Sequence, residues 1–429
     1  MIWFYRFLLV LVILPCTAAQ ARDDVYYIDD ALKPLPEAAL QWHKQQSFGG
    51  HKVYEMYRAV APLPDGRVIA AGQGGSDVEG VLNAGVVALY DAAGQEIWRY
   101  ATQDQGYGNF YDVIVQSDIV ILFGEYADED ANDVGWEADI SVDDKLTITI
   151  LALDSGALLY HDKIGHDEGS LYSPHVVQGG DSVIYLKALL RGADWQEKTQ
   201  TYRVDITHND AAINAEFIAL AQFAGRSYAI NKAGDDLILA GSAQAAQIIG
   251  VQGDAAKILY TSDAAQSNFA GLAVQAQGYF AAGEVMGDHV RHGQMVSLDK
   301  DLNILWQKNV EAHEPSFIAA RNITVITPDI YALLFYVEPR NPDLQRYSAL
   351  LFVKNDGQIC TAYRLGDAEK ENYIAGAVSY KNDRLWIGGA RADNAKLSGL
   401  SGSALQKARF LAYNTDIMAL DMTRLNTCQ

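Results

Sequence analysis

Residues 57–100 read YRAVAPLPDGRVIAAGQGGSDVEGVLNAGVVALYDAAGQEIWRY, and the fold is decided by how this stretch divides. Tyr57–Pro62 and Arg67–Gly72 are two short strands about the turn Pro64-Asp65-Gly66, where Pro presets one dihedral and Gly accepts the positive one. A polar, Gly-rich loop follows. Gly85–Tyr90 and Gln95–Tyr100 are two further strands about Asp91–Gly94. Short runs rich in Val, Ile, Tyr and Trp with a turn at each end are a sheet signal.

The pattern recurs down the chain. The second strand of each unit ends at Gly72, Gly124, Ala188, Gly241, Gly283, Phe335 and Gly389, with steps of 52, 64, 53, 42, 52 and 54 residues. A four-stranded unit repeated every ~40–50 residues is the signature of a β-propeller. The sequence therefore predicts an all-β fold, a seven-bladed β-propeller of four-stranded antiparallel blades. In the last unit the outer strands are expected at Arg409–Tyr413 and Ile417–Leu420. The expected organisation is a signal peptide over 1–21, a lead-in over 22–50 packed on the propeller as one or two helical turns, and the propeller with its C-terminal tail over 51–429.

Two kinds of blade are suggested by local motifs. Pro64-Asp65-Gly66-Arg67-Val68 with Gly74-Gly75, Leu89-Tyr90-Asp91 and Trp98 resembles a Kelch-type blade. Ala152-Leu153-Asp154-Ser155-Gly156-Ala157-Leu158, and Ser297-Leu298-Asp299 with Ile304-Leu305-Trp306, resemble the blades of PQQ-type quinoproteins and their bacterial relatives. The resemblance implies blades and no particular activity. Quinoprotein dehydrogenases usually have eight blades, and many carry an adjacent cysteine pair near the cofactor. This chain departs on both counts, so PQQ is not expected.

Composition narrows the partners. Of 429 residues, 49% are hydrophobic, enough for a large core and too ordered a mixture for disorder. The formal net charge is −21, and removing residues 1–21, which hold one Arg and no acid, leaves −22. Such a chain repels phosphate backbones, so nucleic acid and anionic membrane surfaces are poor partners.

Arg6, the apolar run Phe7–Leu14 and Ala19-Gln20-Ala21 fit a cleavable secretory signal. The run is short for a span and is broken by Pro15, and Pro15 before Cys16 departs from a lipobox. The mature protein is thus expected to be secreted or periplasmic, monomeric, and not inserted in a membrane. Cys360 and Cys428 then remain, and an even pair in an oxidising compartment suggests one disulfide.

Loop lengths point to a working face. The first-to-second and third-to-fourth turns are short. The second-to-third loops are long at Gln73–Ala84, Glu125–Lys145, Leu189–Gln200, Glu284–Gln294, Val337–Ser348 and Ala390–Lys407, and nearly absent from the fourth unit. Insertions gathered on one face of a repeat protein mark its binding face. Arg191, Trp195, Arg291, His292 and Arg391 lie on these loops and are the expected ligand contacts, for a protein or saccharide partner.

Two clusters offer metal chemistry. Asp128, Asp130, Asn132 and Asp139 supply oxygens at positions 1, 3, 5 and 12 of a calcium-loop frame. Position 6 is Asp133 in place of Gly, and position 12 is Asp in place of a bidentate Glu, so a solvated acidic loop is favoured over calcium. His289 and His292, three apart in the fifth-unit loop, lack an assignable third ligand.

An aromatic starts the first strand of every unit: Tyr57, Tyr111, Tyr172, Tyr228, Phe269, Phe317 and Tyr373. These either ring the channel mouth or pack between blades, and packing is favoured. Trp98, Tyr160, Tyr260 and Trp306 recur in outer strands as packing residues.

The common catalytic patterns G-x-S-x-G, H-E-x-x-H and C-x-x-C are absent, as is a G-x-G-x-x-G between strand and helix. No catalytic residue is assigned. Non-catalytic binding is the leading expectation, and a propeller hydrolase, lyase or oxidoreductase is the alternative. A meeting of Glu125, Glu284 and His292 around one pocket would favour the enzyme.

Overall fold

The computed structural model describes residues 24–49, 54–78, 81–127, 144–209, 212–242, 244–287, 290–341, 344–366, 371–393 and 412–428. Met56–Pro62 reverses into Val68–Gly74, with the Leu63 amide donating to the Arg67 carbonyl at 2.8 Å. Val81–Tyr90 and Glu96–Ala101 complete the first antiparallel run. The same up-and-down path is repeated by Gly106–Gln116, Ile119–Ala127, Lys145–Ala152 and Leu158–Ile164. It continues through Gly169–Gln178, Val183–Gly192, Glu197–Asn209 and Ala212–Ala224, then Arg226–Ala233, Asp236–Ser242, Ala245–Gln252 and Ala255–Ala265. Next come Ser267–Gln275, Gly278–Met286, Arg291–Asp299 and Ile304–Glu311, then Ser316–Thr327, Ile330–Pro339, Tyr347–Lys354 and Ile359–Leu365. The chain ends with Glu371–Lys381, Arg384–Asp393 and Tyr413–Asp421. The fold is an all-β propeller.

The expectation of a seven-bladed β-propeller of four-stranded antiparallel blades is overturned by the sheet topology. Among the described residues, five sheets are separate blades of four or five strands, and a further sheet has eight. The eight-stranded sheet arises because Val81–Tyr90 begins four residues before the expected Gly85 and reaches its successor. There Val81 pairs in parallel with Gly106 and Asn83 with Tyr107, and the Asn83 amide donates to the Gly108 carbonyl at 3.0 Å. Hydrogen bonding thus fuses the first two runs into one sheet.

The N-terminal lead-in accounts for the remaining irregularity. Helical turns are present at Ile28–Ala31 and, as a 3-10 turn, at Glu37–Ala39, but strands dominate the segment. Asp24–Tyr27 adds in parallel to Ile304–Glu311, and Leu32–Pro34 adds in parallel to Ile359–Leu365, giving two five-stranded sheets. Leu40–Gln46 then pairs antiparallel with Tyr413–Asp421 and is the outer strand of the last sheet. The fourth strand expected at Ile417–Leu420 is therefore corrected. Asn414-Thr415-Asp416 resembles a turn, yet Thr415 and Asp416 are fully buried inside one strand. Asp416 is held there by His43 at 2.5 Å and Arg391 at 3.0 Å. Closing the ring with a strand from the opposite end of the chain covers a sheet edge that would otherwise pair elsewhere.

Apolar faces pack sheet against sheet. Trp98 lies on the outer edge of one run and donates its indole N–H to the Leu153 carbonyl of the next at 2.8 Å. Trp306 does the same to Asn355 at 2.7 Å, and Trp42, on the closing strand, to Ala92 at 3.1 Å. Each ring also covers the turn glycine beside it. A Cβ on Gly156, Gly357 or Gly94 would stand 2.7, 2.8 or 2.5 Å from that tryptophan. The C-terminal tail is fastened by the Cys360–Cys428 disulfide and by the Asn426 amide, which donates to the Tyr363 hydroxyl at 3.0 Å.

Candidate functional site: the channel and its neighbouring groove

The innermost strand of each run carries a β-bulge at one level, and the extra residue faces the channel. Tyr57 opposes Gly72 and Ala59 opposes Ala71, which leaves Arg58 over. The same slip leaves over Tyr111, Ser173 with Pro174, Tyr228, Ala270, Arg321 and Gly376. Apart from Pro174, these residues all line one cavity of about 880 Å³. The cause lies across the strand pair. A Cβ on Gly72, Gly124, Gly241, Gly283 or Gly389 would come within 1.8–2.2 Å of a backbone oxygen on the bulged strand. Glycine permits that approach, and the bulge re-aims a side chain.

Three guanidinium groups reach this cavity. Arg58 donates to the Gln73 side-chain oxygen at 2.8 and 3.2 Å and lies 5.0 Å from the Tyr111 ring centroid. Arg321 is exposed to the channel and lies 5.1 Å from the Tyr336 ring. Neither makes an ion pair among the described residues. Arg346 is paired with Glu338, which also accepts from the Tyr336 hydroxyl at 2.9 Å. All three act on the phenol of Tyr54. Burial pushes that phenol up to about 12, and Arg58, Arg321 and Arg346 each pull it back down.

Opposite lies an acid–base cluster. Tyr111 donates to Glu125 at 2.9 Å, and the other Glu125 oxygen accepts from the Ser173 amide at 3.0 Å. Ser173 sits in the left-handed region at φ 51°. Asp112 accepts from the amides of Val113 and Val176 and faces the His175 ring at 3.8 Å. Burial and Lys187 hold His175 below the usual imidazole range, against the opposite pull of Asp112. Lys187 is fully buried and donates to the carbonyls of Ser173 at 2.9 Å and Ser227 at 2.7 Å. Burial brings its ammonium down to about 7, partly opposed by Asp112 and Glu125.

Beside the channel a groove of about 780 Å³ runs between the Val183–Gly192, Asp236–Ser242 and Gly278–Met286 runs, and Tyr228 lines both spaces. Trp195 is 55% exposed on its wall and sits at φ 62°. Arg191 lies 5.7 Å from the Trp195 ring and 4.6 Å from the Tyr172 ring, and is anchored on Glu197 at 3.1 Å. Glu197 also pairs with Arg226, and Arg291 pairs with Glu284 on the opposite wall.

The residues expected as contacts are thus distributed. Trp195 and Arg291 line the groove, and Arg191 backs it. His292 lies apart, 4.0 Å from Glu311, and Arg391 is taken up by Glu371 at 2.6 Å and Asp416. Glu125, Glu284 and His292 do not meet: Glu125 serves the channel cluster, and Glu284 the groove wall. Asp128, Asp130, Asn132, Asp139 and His289 lie outside the described residues. Among the described residues, no three His, Cys, Asp or Glu side chains gather to hold a metal ion, and no helix is long and apolar enough to cross a membrane.

The ring of first-strand aromatics divides by position. Tyr57, Phe269 and Tyr373 are fully buried in packing, whereas Tyr111, Tyr228 and Phe317 line the channel. The channel residues Arg58, His175, Lys187 and Arg321 escaped the sequence reading. The second-strand glycines were the available signal, because each marks the level of a bulge across the pair.

The chain matches no family model and no curated protein. Its fold is similar to that of the polysaccharide lyase Uly1, with a TM-score of 0.52 and 10% identity over 93% of this chain and 96% of that one. It is also similar to YCF48 bound to D1 peptide, with a TM-score of 0.50 and 12% identity over 93% and 100%. Both likenesses show the β-propeller fold.

Proposed function

We propose that this is an exported, non-catalytic propeller that binds a saccharide on its long-loop face, with Trp195 as the platform. One observation carries the reading. Trp195 is a large aromatic left exposed on a polar groove, on a backbone in the left-handed region, with Arg191 beside it. An exposed, pre-positioned ring presents apolar area at little ordering cost, which suits the apolar face of a sugar. Arg191 and Arg226 share Glu197 and Arg291 pairs with Glu284, so the groove's three arginines shape its walls and leave one positive charge beyond the two carboxylates. Export is supported by the residues of 1–21 and by the disulfide, which persists in oxidising compartments. A fold shared with a protein named a polysaccharide lyase is compatible with a sugar ligand.

Affinity electrophoresis through gels cast with soluble polysaccharides tests this. We expect retardation by at least one polysaccharide, and Trp195→Ala to lose about 2 kcal/mol of binding, roughly thirtyfold, with an unchanged melting temperature. Equal retardation of wild type and Trp195→Ala removes the platform. Retardation by no polysaccharide turns the reading toward a protein partner.

The alternative, a propeller enzyme, is favoured by the acid–base cluster of His175, Asp112 and Lys187 at the channel wall. Product release from a polysaccharide by wild type, lost in His175→Gln, would replace the binding reading.

A further inference from the structure

We infer that the channel holds a second site, distinct from the groove, which takes the carboxylate of an acidic sugar unit between Arg58 and Arg321. The two bulged arginines stand on the first and sixth inner strands, and the residue at that level on the strand between them is Gly376. Gly376 adds no side chain, so the wall between the two guanidinium groups is backbone. A side chain would not fit there, since its Cβ would meet the Tyr57 carbonyl oxygen at 2.5 Å.

Charge accounting points to an anion. The cavity lining holds Arg58, Arg321 and Arg346 against Asp112 and Glu338. Glu338 is taken by Arg346, and Asp112 by two backbone amides. Arg58 has the neutral Gln73 amide oxygen and the Tyr111 ring, with Glu125 acting on it without a direct ion pair, and Arg321 has the face of Tyr336. Both guanidinium forks thus lack a carboxylate partner among the described residues, and a ligand carboxylate matches their planar, bidentate geometry. The net charge of −21 does not forbid this. Surface charges beyond a Debye length of about 8 Å are largely screened at physiological ionic strength, so the nearby arginines dominate. Tyr54, Tyr228, Phe317 and Tyr336 also line the space, and their faces can cover a sugar ring.

The site does not depend on the groove reading, and its test separates the two. The full mature protein is titrated with glucuronate, glucose and acetate by calorimetry and ligand-observed NMR. Saturable binding of glucuronate is expected, with glucose and acetate each at least tenfold weaker. Arg321→Gln should lose at least tenfold in glucuronate affinity, and Arg321→Lys should lose less than that. Trp195→Ala should bind glucuronate as wild type does. Failure of glucuronate to saturate, glucose binding as tightly, acetate binding as tightly, or an unchanged affinity in Arg321→Gln would each overturn the assignment. Loss in Trp195→Ala would place the bound sugar in the groove and overturn it too. Arg321 is exposed in the channel, and a melting curve confirms that each variant is folded.

Discussion

The two sides of this ring are built differently. Between the fifth and sixth runs the core includes Phe280, Met295, Tyr331, Leu333, Phe335 and Leu351, all buried, with Ile28 of the lead-in inserted and Trp306 latched on the next turn. Between the third and fourth runs the buried apolar cluster among the described residues is Ala221, Leu237, Leu239, Ile249 and Val251. The turn glycine Gly253 there has no neighbour where a Cβ would stand. The groove opens on this thin side. A short second-to-third turn in the fourth run leaves room for a ligand, and that room is apolar packing forgone. The difference teaches where this propeller can spare contacts, because hydrophobic stabilisation scales with area removed from water.

The largest effect should come from the latches. Trp98 is buried, packs on Gly156 and satisfies its N–H on Leu153. Trp98→Ala should cost about 3–5 kcal/mol, as large aromatic truncations in cores do. Phe223, on the outer strand Ala212–Ala224 of the thin side, is half-buried against that small core. Its replacement by Ala should cost roughly 1–2 kcal/mol. Urea midpoints for the two variants decide the matter, and equal losses would erase the distinction between the sides.

Lys187 gives the thin side a polar tie, since its ammonium joins Ser173 of the third run to Ser227 of the fourth. Its sign is unusual. In the unfolded chain a lysine keeps its proton up to about pH 10.4, whereas the folded protein releases it near 7. Between these values the unfolded state binds more protons, so stability rises with pH, at most by about 1.4 kcal/mol per unit. His175 is held low and titrates below this window, and the buried tyrosines are held high and titrate above it. Denaturant midpoints should therefore climb from pH 7 to 9 in wild type and stay level in Lys187→Met. A level wild-type profile would mean that Lys187 keeps its ammonium in the fold.

Much of the architecture was legible because five of the seven inner-strand bulges face a glycine, while those of the third and sixth runs face Ala188 and Phe335. Gly72, Gly124, Gly241, Gly283 and Gly389 recur in the sequence for a steric reason that the structure makes plain. The closing strand was hidden because Leu40-Gln-Trp-His-Lys-Gln-Gln46 reads as a short amphipathic run, and its partner lies some 370 residues away. Hydrogen bonding across the first two runs was hidden too, because Gly74 to Gly80 looks like loop while Val81–Ala84 extends a strand. Trp195 and Arg291 come to one groove, with Arg191 behind it, because the second-to-third loops of the third and fifth runs lie on its two walls. Arg58, His175 and Arg321 sit within strands of three different runs, and only closure of the ring brings them together. No spacing in the sequence encodes that convergence.

The cleanest comparison sets the thin side against the latched seam between the first two runs. Gly156 and Gly253 occupy equivalent outer turns at φ 68° and 60°, so an added side chain meets the same backbone strain in both, about 1–2 kcal/mol. Their surroundings differ. A Cβ on Gly156 stands 2.7 Å from the Trp98 ring, while one on Gly253 meets nothing within 4 Å. Gly253→Ala should therefore show the backbone cost alone. Gly156→Ala should add the displacement of a latched indole, an overpacking cost of about 1–3 kcal/mol. The difference between the two variants reads the latch without touching the tryptophan. If Gly156→Ala and Gly253→Ala melt together, the indole yields freely, and the seam between the first two runs is held by its apolar faces rather than by its turns.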